Sequence, residues 1–399
     1  MKKAVIAILR ILAILGQVAL IKLYTHYLSV EQLGRFFFYQ AASYFLNALL
    51  FVPIDLYQQA EAFRLKDHGC SISMIYRMNL HILAATMVIG SVVFSAFVCF
   101  DRGDALPLMV TLLMSIALYA STAVKNFLNN QDDQILVVLL LFAEIPLKFV
   151  VFLLFVRVGM EGPLTPLIAS IVAFGLIAGG AAFRVHYHAK SFGHMIKRID
   201  YAYLLRFCLP TSFASIMNWV QTQGYRLVLV PLGYTDMIGI FATVSSIGNR
   251  GMNGAGAVYQ QIYLPKIYQT NGKYTRTYLI NLFWLILFIM AGGIIFRAQI
   301  VQLVTNARFV SYGGLIAFGV LLEAGNFVIG GLVVKLSIDG DTKAQIGANI
   351  LATVAVPILF VIAYLLHVLN VYTIGIPLVS AQVLVSSYLF AQMEIKEWK

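Results

Sequence analysis

Residues 209–248 read LPTSFASIMNWVQTQGYRLVLVPLGYTDMIGIFATVSSIG. Two apolar segments of membrane-spanning length, 206–231 and 237–261, meet here at a short turn. The first is interrupted by Asn218, Gln221, Gln223 and Arg226, too many polar groups for a helix that faces lipid. The turn carries a second signal. YTDMIGIF (234–241) repeats SVEQLGRF (29–36): acid, any residue, aliphatic, Gly, any residue, Phe. The pairs are Glu31 and Asp236, Leu33 and Ile238, Gly34 and Gly239, Phe36 and Phe241, at an offset of 205 residues. That offset is about half of the chain, and such internal repeats are common in transporters. An even number of spans between the copies makes the halves parallel, related by an axis along the membrane normal.

The rest of the chain fits this frame. Of its 399 residues, 60% are hydrophobic and 11% charged, against about 25% charged in a soluble domain. The mean hydropathy is +0.85. A water-soluble enzyme, a secreted domain and a disordered chain are excluded. A spanning helix takes about 20 apolar residues, and twelve such runs follow one another from 4–27 to 372–393. The expected fold is an all-α polytopic membrane protein of about twelve helices in two six-helix lobes. The expected lobes are 1–184 and 206–399, joined by a basic cytoplasmic linker, 185–205.

The formal charge of +11 is explained by topology rather than by nucleic acid. With the N-terminus inside, 18 Lys and Arg fall on the cytoplasmic side or its flanks, Lys125 among them, 6 fall outside and 4 within spans. Both termini are therefore expected in the cytoplasm. The N-terminal run lacks an A-x-A cleavage site and reads as the first span. Cys70, Cys99 and Cys208 are widely spaced, with no CxxC, and read as small apolar residues.

Charges inside spans cost about 2.5–3.5 kcal/mol each at a helix centre, so they mark water or partners. Arg10, Lys148, Arg226 and Arg250 are the basic ones, and Asp55, Glu144 and Glu323 the acidic ones. Glu144 and Lys148 are four apart on one helix face and suit a structural pair as well as a functional one. Arg10 is near enough to the inner surface to snorkel. Arg226 and Arg250 stand among polar and small residues, which favours a water-filled cavity. Arg forks onto phosphate oxygens, and the amides of Asn218 and Gln221 suit sugar hydroxyls. The candidate binding residues are thus Arg226, Arg250, Arg10, Lys148, Asn218 and Gln221. Glu323, Asp55 and Glu144 are the candidate carriers of a coupling ion, a proton or sodium. The stretches GNRGMNGAG (248–256) and GNFVIGG (325–331) allow close helix approach or bending.

Enzyme signals are weak. Asp132-Asp133 and Asp339-Gly340-Asp341 sit in short loops and read as turns. There is no HExxH, G-x-S-x-G or phosphate-binding loop. His186, His188 and His194 belong to the basic linker. A metal, an organic cofactor and catalysis are not expected.

Two stretches carry a resemblance: YTHYLSVEQLGRFFFYQAASYF (24–45) and residues 209–248. They resemble the Wzx-type O-antigen flippases of the multidrug/oligosaccharidyl-lipid/polysaccharide exporter superfamily. Leu209-Pro210 opens span seven as in that family, and the turn closes on Gly239-Ile240-Phe241. The family's Asp-Arg pair reads Tyr225-Arg226 here, so the Arg is retained and the Asp is not. The resemblance implies a lipopolysaccharide-pathway flippase of the bacterial inner membrane. Its cargo would be an undecaprenyl-pyrophosphate-linked oligosaccharide, moved from the inner to the outer leaflet by alternating access. Implied partners are that cargo, membrane lipids and other polysaccharide-export proteins, with no nucleic acid. Rival readings are a multidrug antiporter of the same superfamily, which would want buried acids in excess, and a membrane enzyme of glycan assembly, a polymerase or acyltransferase.

Overall fold

The computed structural model describes every residue except 1, 68–72, 101–104, 132, 190–199, 340–341 and 398–399. Cys70, Asp132, His194, Gly340, Asp341 and the middle of the linker 185–205 lie outside the described residues, and so do the side chains of Cys99, His186 and His188.

Among the described residues every regular element is a helix. In chain order they are α1 (Lys2–Tyr27), α2 (Val30–Leu46), one π turn (Asn47–Phe51), α3 (Val52–Asp67), α4 (Ser73–Phe100), α5 (Ala105–Asn130), α6 (Gln134–Arg157) and α7 (Thr165–Ala189). Then come α8 (Tyr201–Leu229), α9 (Thr235–Gln269), α10 (Thr275–Ile295), α11 (Arg297–Val304), a 3-10 segment (Ala307–Leu315), α12 (Ile316–Ile338), α13 (Thr342–Leu365) and α14 (Gly375–Glu397). Ten helical stretches are long and apolar enough to cross a membrane, with α2, the π turn and most of α3 forming one of them. α8 and α9 fall short in apolarity rather than in length, being 29 and 35 residues long. The twelve expected spans include these two.

The chain forms two compact units. One comprises residues 1–16 and 38–216, the other 17–37 and 217–399. Helices α1, α2 and α8 therefore each contribute to both.

In the first unit, α7 packs between α5 and α6. The π turn has a local cause. Pro53 has no N–H to give to the carbonyl of Leu49 four residues back, and its ring crowds that carbonyl. The helix widens over Asn47–Phe51, and the hydroxyl of Ser212 on α8 donates to the freed Leu49 oxygen at 2.9 Å. Below it Phe51 stacks on Tyr119, ring centroids 4.3 Å apart. Tyr119 donates to Asn79 Oδ1 at 2.6 Å, and Gln58 and Asn79 exchange amide hydrogen bonds, so this buried polar group is internally satisfied.

The second unit is built on the crossing of α9 and α12. A Cβ on Gly319 would lie 1.8 Å from the Ser245 carbonyl oxygen, and one on Gly248 would lie 2.1 Å from that of Ile316. Only glycine lets two backbones come so close. Gly256 and Gly331 likewise seat the rings of Phe327 and Tyr278. The glycine stretches thus serve close approach, and α9 runs unbroken through the first.

The repeated turns meet in this same unit. A Cβ on Gly34 would fall 2.1 Å from Thr235 O, and one on Gly239 would fall 2.2 Å from Val30 O. Thr235 is 205 residues from Val30, and Gly239 is 205 from Gly34, so the approach is reciprocal. Each copy sets its glycine against the opening turn of the other copy's helix. The C-terminal end of α1 is anchored nearby. Arg308 donates to the carbonyls of Thr25 and Leu28, Asn306 to Thr25 O at 2.6 Å, and Lys22 to Leu303 O at 2.7 Å. Cations at a helix C-terminus satisfy its free carbonyls and oppose its dipole.

Candidate functional site

A cavity of about 800 Å³ lies within the second unit. Five helices wall it, and each presents polar groups at helical spacing. From α8 come Asn218, Gln221, Thr222, Tyr225 and Arg226, one continuous stripe. α9 adds Ser245, Ser246 and Asn249, α12 adds Glu323 and Asn326, α13 adds Gln345 and Asn349, and α14 adds Gln382. Arg226 and Glu323 are the two charged residues among the described lining.

Arg226 is half-buried. Its Nε donates to the Tyr225 hydroxyl at 3.1 Å, and its guanidinium sits 5.2 Å from the centre of the Phe37 ring. It meets no carboxylate among the described residues. The charge is thus held in place by aromatic faces and left available to an anion.

Glu323 is buried and is held by amides. Asn249 donates to Oε2 at 2.9 Å, Asn326 to Oε2 at 3.2 Å, and Asn253 to Oε1 at 2.5 Å. The glycine crossing explains this reach. Asn249 follows Gly248 and Glu323 lies one turn beyond Gly319, so backbones in contact bring the short Asn side chains to the carboxylate. Gln221 donates to the backbone oxygen of Asn349 at 3.2 Å. Two acceptor atoms against the cavity, Gln223 Oε1 and Gln382 Oε1, are buried with no hydrogen-bond partner.

Of the residues expected from sequence, the structure brings Asn218, Gln221, Arg226 and Glu323 to this one cavity. Arg250 is on α9 but outside the lining, and donates to Gln17 Oε1 at 2.9 Å. Arg10, exposed on α1, belongs to the first unit. So does Lys148, whose ammonium stands 3.9 Å from Glu144 Oε2 and 4.0 Å from the centre of the Phe174 ring. The nearer partner of Glu144 is Lys125 on α5, with Ser121 donating at 2.9 Å. The sequence reading had not paired Lys125 with Glu144. Lys125 is buried in the helix because Glu144 offsets its charge. Asp55, on α3, is also buried in the first unit, and its Oδ1 takes no hydrogen bond. Sequence reasoning passed over Asn249, Asn253, Asn326 and Gln382 as partners in the Glu323 region. Their spacing, Asn at 249 and 253 and Glu-x-x-Asn at 323, was the available signal.

No protein-family model matches the chain, and no curated protein does. Solved structures do match. The lipid II flippase MurJ, in an inward closed conformation, aligns with a TM-score of 0.73 over 98% of this chain and 87% of its own, at 12% identity. The chain has the fold of the flippase and MATE transporters. An outward-facing multidrug resistance MATE family transporter of the MOP superfamily gives 0.63 over 98% of this chain and 95% of its own, at 13% identity. MATE in complex with MaL6 gives 0.67, covering 98% and 96%, at 14% identity. These neighbours are transporters and a flippase rather than enzymes. At such identities what is shared is the fold, a multi-pass membrane architecture of two lobes.

Proposed function

We propose that the protein is a flippase for a lipid-linked oligosaccharide, undecaprenyl-pyrophosphate-linked and of O-antigen type, in the bacterial inner membrane. The observation that carries this reading is Arg226, a guanidinium that meets no carboxylate among the described residues, in a cavity that also presents the amides and hydroxyls of Asn218, Gln221, Thr222, Asn249 and Asn349 and one carboxylate, Glu323. Arginine forks onto pyrophosphate oxygens. Asn218, Gln221 and their neighbours both donate and accept, which is what sugar hydroxyls need. Alternating access moves the headgroup between leaflets, and proton exchange is assigned to Asp55, whose Oδ1 is free to bind one. Other polysaccharide-export proteins are its expected partners.

A multidrug antiporter is the second reading, favoured by the MATE neighbours and by the buried carboxylates. The test is a strain lacking the protein. Complete lipid-linked oligosaccharide trapped in the cytoplasmic leaflet, released by the wild-type gene and not by Arg226→Ala, supports the flippase. Normal glycan export with raised sensitivity to cationic drugs supports the antiporter, and an oligosaccharide never completed supports an enzyme.

A further inference from the structure

The unmet hydrogen-bonding capacity of the cavity near Glu323 is one-sided. A carboxylate offers about four acceptor sites and no donor. Three are taken by the N–H groups of Asn249, Asn253 and Asn326, which leaves one. Beside them is Gln382, 8% exposed, whose Oε1 has no partner. Its Nε2 reaches Asn326 Oδ1 at 3.4 Å, so Gln382 and Glu323 share a neighbour. Gln223 Oε1 is a further acceptor without a partner. Whatever enters here must donate. A sugar hydroxyl or a protonated amine does so. A sugar carboxylate brings only acceptors, and a like charge into a membrane interior where repulsion is poorly screened. A metal ion is a poorer match, because the three amides turn N–H rather than oxygen toward the carboxylate, and hard cations need several oxygen ligands.

We propose that Glu323, backed by Gln382, determines which glycan is carried. It accepts a neutral or amino-bearing sugar at this position and rejects a uronic acid. The inference rests on the flippase reading and names the class of cargo for it.

The test uses the full-length protein in proteoliposomes. Three short-prenyl pyrophosphate disaccharides, ending in glucose, glucosamine or glucuronic acid, are compared for their rate of movement between leaflets. Wild type is expected to move the first two about ten-fold or more faster than the uronate, since like charges juxtaposed at a binding site are strongly penalised. In Glu323→Gln the ratio of glucose to glucuronate cargo should fall toward one. In Gln382→Glu, which adds a second acid, it should rise. A global structural defect would lower all rates and leave these ratios unchanged. Equal rates for the three cargos in wild type overturn the inference and leave the flippase reading standing. So does a ratio that persists in Glu323→Gln, or a sodium dependence that this variant removes while the ratio stays. Movement of none of the three by wild type overturns the flippase reading and this inference with it.

Discussion

At the scale of single residues, the first unit holds a two-to-one arrangement of charge: Lys125 and Lys148 about Glu144. Breaking a buried pair strands an uncompensated charge at a cost of about 3–5 kcal/mol. Glu144→Gln is therefore expected to lower thermal stability in detergent sharply. Glu144→Gln combined with Lys125→Met, which removes the stranded ammonium, should regain most of the loss. Additive losses in a thermal-shift series would mean that the two do not act as a pair. Arg226 makes the opposite case. It is fixed by Tyr225 and Phe37 and meets no described acid, so its truncation should spare folding and remove cargo binding. Truncating one partner of a desolvated charge pair costs about 2–5 kcal/mol, at least an order of magnitude in apparent affinity. Arg226→Lys keeps the charge without the fork and should fall between. Normal cargo affinity in Arg226→Ala would exclude it from the site. The pairing of Glu144 with Lys148 was legible in sequence, because four-residue spacing is visible in one dimension. Lys125 was not, since it comes from another helix, and Asn249 and Asn253 around Glu323 were missed for the same reason, whereas Asn326 stands three residues along the same helix.

At the scale of helices, the α9–α12 crossing and the π turn show local chemistry setting the geometry of larger parts. In Gly319→Ala the new Cβ would fall 1.8 Å from Ser245 O, a clash with backbone that only helix separation can relieve. Overpacking costs about 1–3 kcal/mol, and separation would also pull Asn249 from Glu323. Both stability and cargo selection should suffer. Gly251→Ala on the same helix as Ser245, where a Cβ meets nothing within 4 Å, should do neither, and equal effects of the two would refute the crossing argument. In the other unit, Ser212→Ala would leave Leu49 O without its donor. The expected loss is about 0.5–1.5 kcal/mol, the net worth of one hydrogen bond at this half-buried position. The positions of the helices were legible because hydropathy in a bilayer is a strong signal. The expected span interrupted by Asn218, Gln221, Gln223 and Arg226 became α8, and the one after it α9; polar residues of both line the cavity. The residues that blurred the spanning signal are those that make the site. The short α11 and the π turn were not legible, since neither changes the mean hydropathy.

At the scale of the whole molecule, the 205-residue offset is the organising quantity. The reciprocal approach of Gly34 to Thr235 and Gly239 to Val30 gives the repeat a physical reason to persist. Each glycine is needed by the other copy's helix start, so a change in one cannot be absorbed locally. Nothing in composition marks the places, near Gly16, Phe37 and Ile216, where the chain passes from one compact unit to the other, because a lipid-facing helix reads the same in either. Orientation in the membrane is the remaining expectation at this scale. If both termini are cytoplasmic, the α6–α7 connection containing Met160 faces outward and the α9–α10 turn containing Lys273 faces inward. Both side chains are exposed, so each can be replaced by cysteine in a chain whose Cys70, Cys99 and Cys208 are changed to alanine. A membrane-impermeant maleimide applied to intact spheroplasts should label Met160→Cys and should reach Lys273→Cys only after permeabilisation. The opposite pattern would invert the orientation, placing the three-to-one excess of Lys and Arg outside against the charge rule for short loops. Three helices, α7, α8 and α9, separate the two positions, and an odd number of crossings puts them on opposite sides. Labelling of both from outside would mean an even number, with one of the three failing to cross. α8 and α9 are the two whose polar content makes that worth measuring.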